Sequence, residues 1–163
     1  MSRLDSFIRR LEAQRACLGL AAVLVRQLDG VILELGLGNG RTYDHLRELC
    51  PDRKIYVCER LVAAHPDCVP PAELLLLGDM RDTLPAARAR LFGRVVLAHF
   101  DAATGDGATS LAFGGETGPL IVPLLRAGGV LVSEPPIDVD GLVALPLPQG
   151  VGAGRYHLYR RLR

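Results

Sequence analysis

The sequence has no tryptophan, no block of like charges and no apolar run long enough to cross a membrane. With 19 basic and 18 acidic residues the net charge is +1, which indicates no polyanionic partner such as a nucleic acid. The longest apolar stretch near the amino terminus, CLGLAAVLV, has only nine residues, and no signal-peptide core follows MSRLDSFIRR. We therefore expect a cytoplasmic protein with neither nucleic acid nor membrane as a partner.

Paired cysteine motifs are also missing. The four cysteines form no CxxC pair and have no spacing typical of metal ligands; they are Cys17, Cys50, Cys58 and Cys68. Isolated cysteines of this kind are typical of buried thiols in a reducing compartment. We expect no metal site.

The 163 residues suffice for one domain with a full core, but not for a separate substrate domain. Helical spacing predicts one or two amphipathic helices in residues 1–29, with an apolar face of Leu4, Phe7, Ile8, Leu11, Leu20, Ala21, Leu24, Val25 and Leu28. Strands are predicted at 31–35, 54–58, 73–77, 94–98 and 128–133, helices at 41–50, 83–91 and 120–126, and a hairpin within 141–162. This alternation is typical of an α/β sandwich with a mostly parallel sheet.

Three glycines follow the first predicted strand, in the stretch ELGLGNG over residues 34–40. Gly36, Gly38 and Gly40 let the backbone turn tightly and approach a ligand without an intervening Cβ. The amides that open the next helix favour a carboxylate or phosphate. Glu59, at the end of the second predicted strand, is positioned to bind a ribose diol. Together these features predict a nucleotide-type ligand at the carboxyl ends of the strands.

The glycine spacing distinguishes between nucleotides. The dinucleotide fingerprint G-x-G-x-x-G requires glycine at position 41, where this chain has Arg41. The stretch instead follows E-x-G-x-G-x-G, which resembles motif I of the class I S-adenosylmethionine-dependent methyltransferases. Glu59, LLLGDM at 75–80 and LLRAGGVLVS at 124–133 continue the resemblance in order. Within that superfamily the chain is similar to a small bacterial family of methyltransferases.

The resemblance implies a Rossmann-like fold with a mostly parallel seven-stranded sheet, a C-terminal antiparallel hairpin and helices on both faces. It divides the single domain 1–163 into N-terminal helices (1–29), a cofactor-binding core (30–133) and the hairpin (134–163). It also implies S-adenosylmethionine as cofactor. The residues implied to bind it are Glu34, Gly36, Leu37, Gly38, Asn39, Gly40, Arg41, Thr42, Tyr43, Glu59, Arg60, Gly78, Asp79, Met80 and His99.

The resemblance further implies the following role for each of these residues. Glu34 holds the methionyl ammonium, directly or through water, and His99 offers its backbone carbonyl to the same group. The loop amides from Gly36 to Gly40, with Arg41, Thr42 or Tyr43, take the methionyl carboxylate. Glu59 accepts the ribose hydroxyls, Arg60 flanks the adenine, Asp79 receives the adenine amino group and the Met80 backbone pairs with a ring nitrogen. Two alternatives stay open: Asp79 only caps the following turn, and Glu59 with Arg60 is only a surface ion pair.

Methyl transfer from a sulfonium is an in-line displacement, so a base is needed only where the acceptor arrives protonated. Candidate bases cluster after the fourth strand at His99, Asp101 and Asp106, of which Asp101 and His99 are the catalytic candidates. The chain lacks the N/D-P-P-Y/F motif of adenine and amide methyltransferases and the Pro-Cys nucleophile of cytosine C5 enzymes. The expected acceptor is therefore a small molecule methylated on O or N.

Several further interpretations stay open. A non-catalytic cofactor-binding module and an NAD(P)-dependent oxidoreductase are the alternative functions. Residues 102–117 are predicted to form a long loop, either a lid with Phe113 on the substrate or a simple connection.

The segment after the fifth strand is too short for a helix, which favours a homo-oligomer that covers the sheet. RYHLYRRLR at the end alternates as a last strand does, although single-strand nucleic-acid binders also interleave arginines with aromatics.

Overall fold

The computed structural model of the chain describes residues 2–101 and 107–163. Its helices are α1 (Arg3–Leu24), α2 (Arg41–Leu49), α3 (Met80–Leu91) and α4 (Gly107–Ile121). Its strands are β1 (Val31–Leu35), β2 (Ile55–Glu59), β3 (Leu75–Leu77), β4 (Val95–Phe100), β5 (Leu125–Ser133), β6 (Leu142–Ala144) and β7 (His157–Arg161).

The seven strands form one sheet in the order β3-β2-β1-β4-β5-β7-β6. Strands β1 to β5 pair in parallel, whereas β7 pairs antiparallel with both β5 and β6. The chain order reverses beside β1, so the carboxyl ends of β1 and β4 open the crevice where such sheets bind ligands. The predicted α/β fold, with its mostly parallel sheet and antiparallel C-terminal pair, is confirmed.

The central strands β1 and β4 are buried on both faces, which explains why they are largely apolar. Alternate residues of β1 serve different faces: Ile32 packs with α1 and α2, while Leu33 packs with α3 and α4. The same alternation in β4 sends Leu97 towards α1 and Ala98 towards α3. Glu34 and His99 follow Ile32 and Leu97 by two residues, so both face α1 and α2.

Helix α1 is one continuous helix of 22 residues, opened by a capping box between Ser2 and Asp5. The predicted apolar face is wrong in its first turns, where Leu4, Phe7 and Ile8 are 66%, 46% and 44% exposed. The buried face begins one turn later and comprises Ala13, Gln14, Cys17, Leu18 and Ala21. Part of the surface of these first turns lines a cleft described below.

The prediction of a loop over residues 102–117 is wrong for 107–117, which belong to α4. The small residues there allow close packing: a Cβ on Gly118 would lie 3.0 Å from both Ile137 and Val139. Phe113 packs on Phe100, with 5.8 Å between ring centroids, so it lies against the sheet core and not on a lid. Residues 102–106, which include the candidate Asp106, lie outside the described residues.

The predicted helix over 120–126 is correct at its start and wrong at its end. Helix α4 ends at Ile121, a short 3-10 turn spans Val122–Leu124, and β5 begins at Leu125. Pro123 supplies no amide proton to continue a helix, and the apolar run that follows is drawn into the sheet. As expected, no helix lies between β5 and β6. The final aromatic–arginine stretch forms β7, as its alternation predicts.

Within the described residues, no helix has both the length and the apolar character required to span a membrane. The four cysteines are free; Cys17, Cys50 and Cys58 are buried and Cys68 is half-buried. Burial raises the pKa of the Cys58 thiol to about 12, so this residue is a protonated core side chain at neutral pH.

Glycine 40 is required by the fold. Its φ of 86° is left-handed, and an added Cβ would lie 2.3 Å from the Cβ of Cys68. Gly40→Ala should therefore lower the free energy of unfolding by at least about 2 kcal/mol, from backbone strain and overpacking together. Gly38→Ala is the matched control, because Gly38 also has positive φ but an added Cβ meets no atom within 4 Å. Urea unfolding should show that Gly38→Ala lowers the free energy of unfolding by only about 1 kcal/mol. Equal losses in the two variants would contradict this interpretation.

Candidate functional site

The glycine-rich loop between β1 and α2 is held by a carboxylate. One oxygen of Glu59 accepts hydrogen bonds from the amides of Leu37 (2.7 Å) and Gly38 (3.1 Å). The other accepts from the amides of Arg60 (2.7 Å) and Leu61 (3.1 Å). Burial alone would raise the pKa of Glu59, but these four amides outweigh it and lower the pKa. Glu59 is therefore ionised at neutral pH and fixes two loops at once, rather than pairing with the Arg60 guanidinium.

A cleft of about 230 Å³ opens between this loop and α1. One wall is the loop with the start of α2, contributed by Gly36, Leu37, Gly38, Asn39, Arg41 and Thr42. The opposite wall is one face of α1, at i, i+3, i+4 and i+7 spacing: Phe7, Arg10, Leu11 and Gln14. Asp101, which directly follows β4, completes the lining. The cleft thus lies over the carboxyl ends of the parallel strands.

Beneath the cleft, Glu34 and His99 are register partners on neighbouring parallel strands. Both are fully buried, and the Nδ1 of His99 lies 2.9 Å from the Oε2 of Glu34. The hydroxyl of Thr42, in the first turn of α2, donates to the Oε1 of Glu34. Burial alone would lower the pKa of His99, but the Glu34 carboxylate outweighs it and raises the pKa. The pair joins β1, β4 and α2 at one point.

The polar network continues from His99 to the cleft. The Nε2 of His99 lies 3.4 Å from the hydroxyl of Tyr156 and 3.5 Å from the side-chain amide of Gln14. That amide donates to the Tyr156 hydroxyl at 2.7 Å and to the Oδ2 of Asp101 at 2.6 Å. Arg10 donates to the Oδ1 of Asp101 at 2.5 Å. These contacts join the side chains into one connected set, which we call the buried polar network. Its members are Thr42, Glu34, His99, Tyr156, Gln14, Asp101 and Arg10.

The structure brings most of the predicted methionyl-binding residues together at the cleft, but four of them do not line it. Glu34 and His99 are buried side chains that bind each other. Tyr43 is also buried, 4% exposed, and its ring packs in the core, so only its backbone is available at the helix start. Gly40 supports the loop by packing on Cys68.

The predicted adenine-binding residues lie at the ends of β2 and β3. Asp79 is the N-cap of α3, accepting from the Arg81 amide at 2.9 Å, and its carboxylate also pairs with the Arg81 guanidinium at 2.7 Å. Hydrogen bonds from the Arg81 side chain lower the pKa of Asp79. The cap is therefore real, and adenine binding by Asp79, Met80 and Arg60 stays a prediction.

Sequence reasoning missed Arg10, Gln14 and Tyr156. A signal was present in α1, where Gln14 falls on a face that is otherwise small and apolar; its neighbours there include Ala13, Cys17, Leu18 and Ala21. A polar amide on such a face needs a buried partner. Nothing in the spacing indicates that Tyr156, 142 positions away along the chain, is one of those partners.

The chain matches a family model described as S-adenosyl-L-methionine methyltransferase over residues 1–161. The chain belongs to this methyltransferase family. It is 47% identical to an S-adenosyl-L-methionine methyl transferase from Silicibacter pomeroyi DSS-3, whose crystal structure superposes with a TM-score of 0.95 over 99% of both chains. Human methyltransferase-like protein 13, solved in complex with S-adenosylhomocysteine, shares the fold at 14% identity, with a TM-score of 0.53 over 93% of this chain and 82% of the human one. No curated protein matches the chain significantly.

The site of this methyltransferase fits its cofactor, S-adenosylmethionine. The space above Gly38 is open, since an added Cβ would meet nothing within 4 Å, and a ligand can lie on the backbone there. The first turn of α2 offers amides and a positive dipole end to a carboxylate. Carboxylates at the ends of β2 and β4, Glu59 and Asp101, suit hydroxyls and a cationic centre respectively.

Glu59→Ala tests the cofactor half of the site. Loss of the carboxylate frees the loop amides that it fixes and removes the acceptor predicted for the ribose hydroxyls, so affinity for S-adenosylhomocysteine should fall about tenfold to hundredfold. Isothermal titration calorimetry measures the change. Glu48→Ala is the control, because Glu48 is 77% exposed on α2, pairs with His45 and does not line the cleft. Unchanged affinity in Glu59→Ala would show that the ribose lies elsewhere.

Proposed function

We propose that this methyltransferase transfers the methyl group to an oxygen or nitrogen of a small-molecule acceptor, with Asp101 as the general base. The observation that carries the proposal is the position of Asp101. Its carboxylate is 15% exposed and lines the cleft opposite the glycine-rich loop, at the carboxyl end of the strand beside β1. An acceptor and the methyl group can both be presented to this carboxylate from the same opening.

The cofactor residues are assigned as follows. Amides at the start of α2, with Asn39 and Arg41, receive the methionyl carboxylate, because the amides of Leu37 and Gly38 already donate to Glu59. Glu59 accepts the ribose hydroxyls, and Asp79 with the Met80 backbone receives the adenine. Glu34 fixes Thr42 and His99 beneath the loop and acts on the methionyl ammonium through them or through water, since its own carboxylate is fully buried.

S-adenosylmethionine supplies a methyl carbon on a positively charged sulfur. The acceptor lone pair forms the new bond to that carbon, and the pair of the carbon–sulfur bond goes to sulfur. Asp101 takes the proton that the acceptor oxygen or nitrogen loses, so charge and atoms balance. Asp101 is better placed for this than His99, whose ring is fully buried and committed to Glu34.

Two features support a small acceptor. The cleft volume of about 230 Å³ is below the roughly 300–1,000 Å³ of typical ligand sites, which favours a compact acceptor. The net charge of +1 favours no nucleic acid as acceptor. Methylation of an N–H or O–H in a small metabolite, within the cytoplasm, fits these observations.

We also propose that copies of the chain associate. Leu4 and Ile8 project from the first turns of α1 with about half of their surface exposed and do not line the cleft, and such apolar groups favour burial in an interface. Size-exclusion chromatography with light scattering should show a dimer or larger species, and Ile8→Ser should weaken it. A monomer at micromolar concentration would contradict this proposal.

Asp101→Asn tests the base. Loss of the carboxylate should lower kcat about 10²- to 10⁴-fold, while affinity for S-adenosylhomocysteine stays within about threefold because the loop is untouched. Turnover is measured as S-adenosylhomocysteine release with a panel of phenols, catechols, and primary and secondary amines.

Asp138→Asn is the matched control, since Asp138 is exposed in the segment between β5 and β6 and lines no part of the cleft. It should retain wild-type turnover. An Asp101→Asn variant with full turnover of any acceptor in the panel would refute the assignment of Asp101 as the base.

A further inference from the structure

We propose that Gln14 of α1 and Tyr156, next to β7, are positioning residues that hold the Asp101 carboxylate towards the reacting methyl group. The inference rests on the proposed function, in which Asp101 is the base. It assigns part of the active site to two segments that lie outside the glycine-rich core, at residues 3–24 and 156–161.

The two oxygens of Asp101 each have one partner on α1. Arg10 donates to Oδ1 at 2.5 Å and Gln14 donates to Oδ2 at 2.6 Å. These residues are one helical turn apart, so together they fix the plane of the carboxylate. Each carboxylate oxygen can accept a further hydrogen bond, which leaves acceptor capacity for a ligand in the cleft.

Gln14 is itself held. It is only 6% exposed, and its amide nitrogen donates both to Asp101 and to the hydroxyl of Tyr156, at 2.6 Å and 2.7 Å. Because one amide group makes both contacts, the position of Tyr156 determines where the second proton of that amide points. Removal of the Tyr156 hydroxyl therefore frees Gln14 and, through it, Asp101.

Tyr156 is fully buried and in turn lies 3.4 Å from the Nε2 of His99. Burial raises the pKa of Tyr156, so its hydroxyl stays protonated. His99 is anchored on Glu34, which also accepts from Thr42 at the start of α2. The orientation of Asp101 is thereby coupled to the loop that carries the cofactor. Stabilisation of α1 on the sheet alone would not require that the network reach the cleft, and Asp101 at its end lines the cleft.

The test uses ligands that need no known acceptor. Sinefungin carries an amine where S-adenosylmethionine carries the transferred methyl, whereas S-adenosylhomocysteine has nothing there. The ratio of their dissociation constants in one variant reports how well Asp101 faces the methyl position, and general losses of stability cancel. In the wild-type protein sinefungin should bind about tenfold or more tightly than S-adenosylhomocysteine, from one charge-assisted hydrogen bond.

Tyr156→Phe and Gln14→Met should each reduce this preference about threefold to tenfold, as expected for loss of one orienting hydrogen bond. Tyr159→Phe is the control: the Tyr159 hydroxyl accepts from the Ile137 amide at 2.9 Å, away from the network, and the preference should be unchanged. If Gln14→Met fails to fold, Tyr156→Phe, which removes a single oxygen atom, decides the question.

Asp101→Asn distinguishes the role of Asp101 as base from the positioning role of Gln14 and Tyr156. Loss of the preference in Asp101→Asn but not in Tyr156→Phe or Gln14→Met would overturn the positioning role and leave Asp101 as the base. An Asp101→Asn variant that keeps the full preference, or a wild-type protein with none, would overturn both assignments.

Discussion

The contact on which the site depends is the buried pair of Glu34 and His99, register partners on β1 and β4. A charge placed inside a sheet core is costly unless every oxygen has a partner, and here Thr42 and His99 supply one each. Removing one member of such a pair typically costs about 3–5 kcal/mol. The strand order makes the pair possible, because it places β4 directly beside β1.

That pair links the two halves of the methyltransferase site. On one side Thr42 connects it to the glycine-rich loop, which Glu59 fixes from the end of β2. On the other side Tyr156 and Gln14 connect it to Asp101, at the end of β4. The backbone of the loop and the proposed base therefore have a fixed relation. A fixed relation of this kind favours in-line methyl transfer, because alignment of acceptor, methyl carbon and sulfur supplies much of the catalysis.

The sequence predicts much of this, because its strongest signals are local. The strands of the parallel sheet are short apolar runs, and the ELGLGNG stretch with Glu59 predicts the cofactor loop from residues close in the chain. The predictions are wrong or incomplete where tertiary packing, and not local sequence, determines the structure. Residues 107–117 belong to α4, although their composition is typical of a loop, and Gly114 and Gly118 of that helix pack tightly against Ile137. Gln14 and Tyr156 meet only because α1 folds over the sheet, which no spacing in the sequence indicates.

A crystal structure with sinefungin tests the central claim most directly, namely that the buried polar network aims Asp101 at the transferred methyl group. We expect the methionyl end of the ligand to lie between α1 and the glycine-rich loop. Its amine should lie within hydrogen-bonding distance of Asp101, which keeps its contact with Gln14. An amine directed away from Asp101, with the methionyl group outside this cleft, would contradict the account.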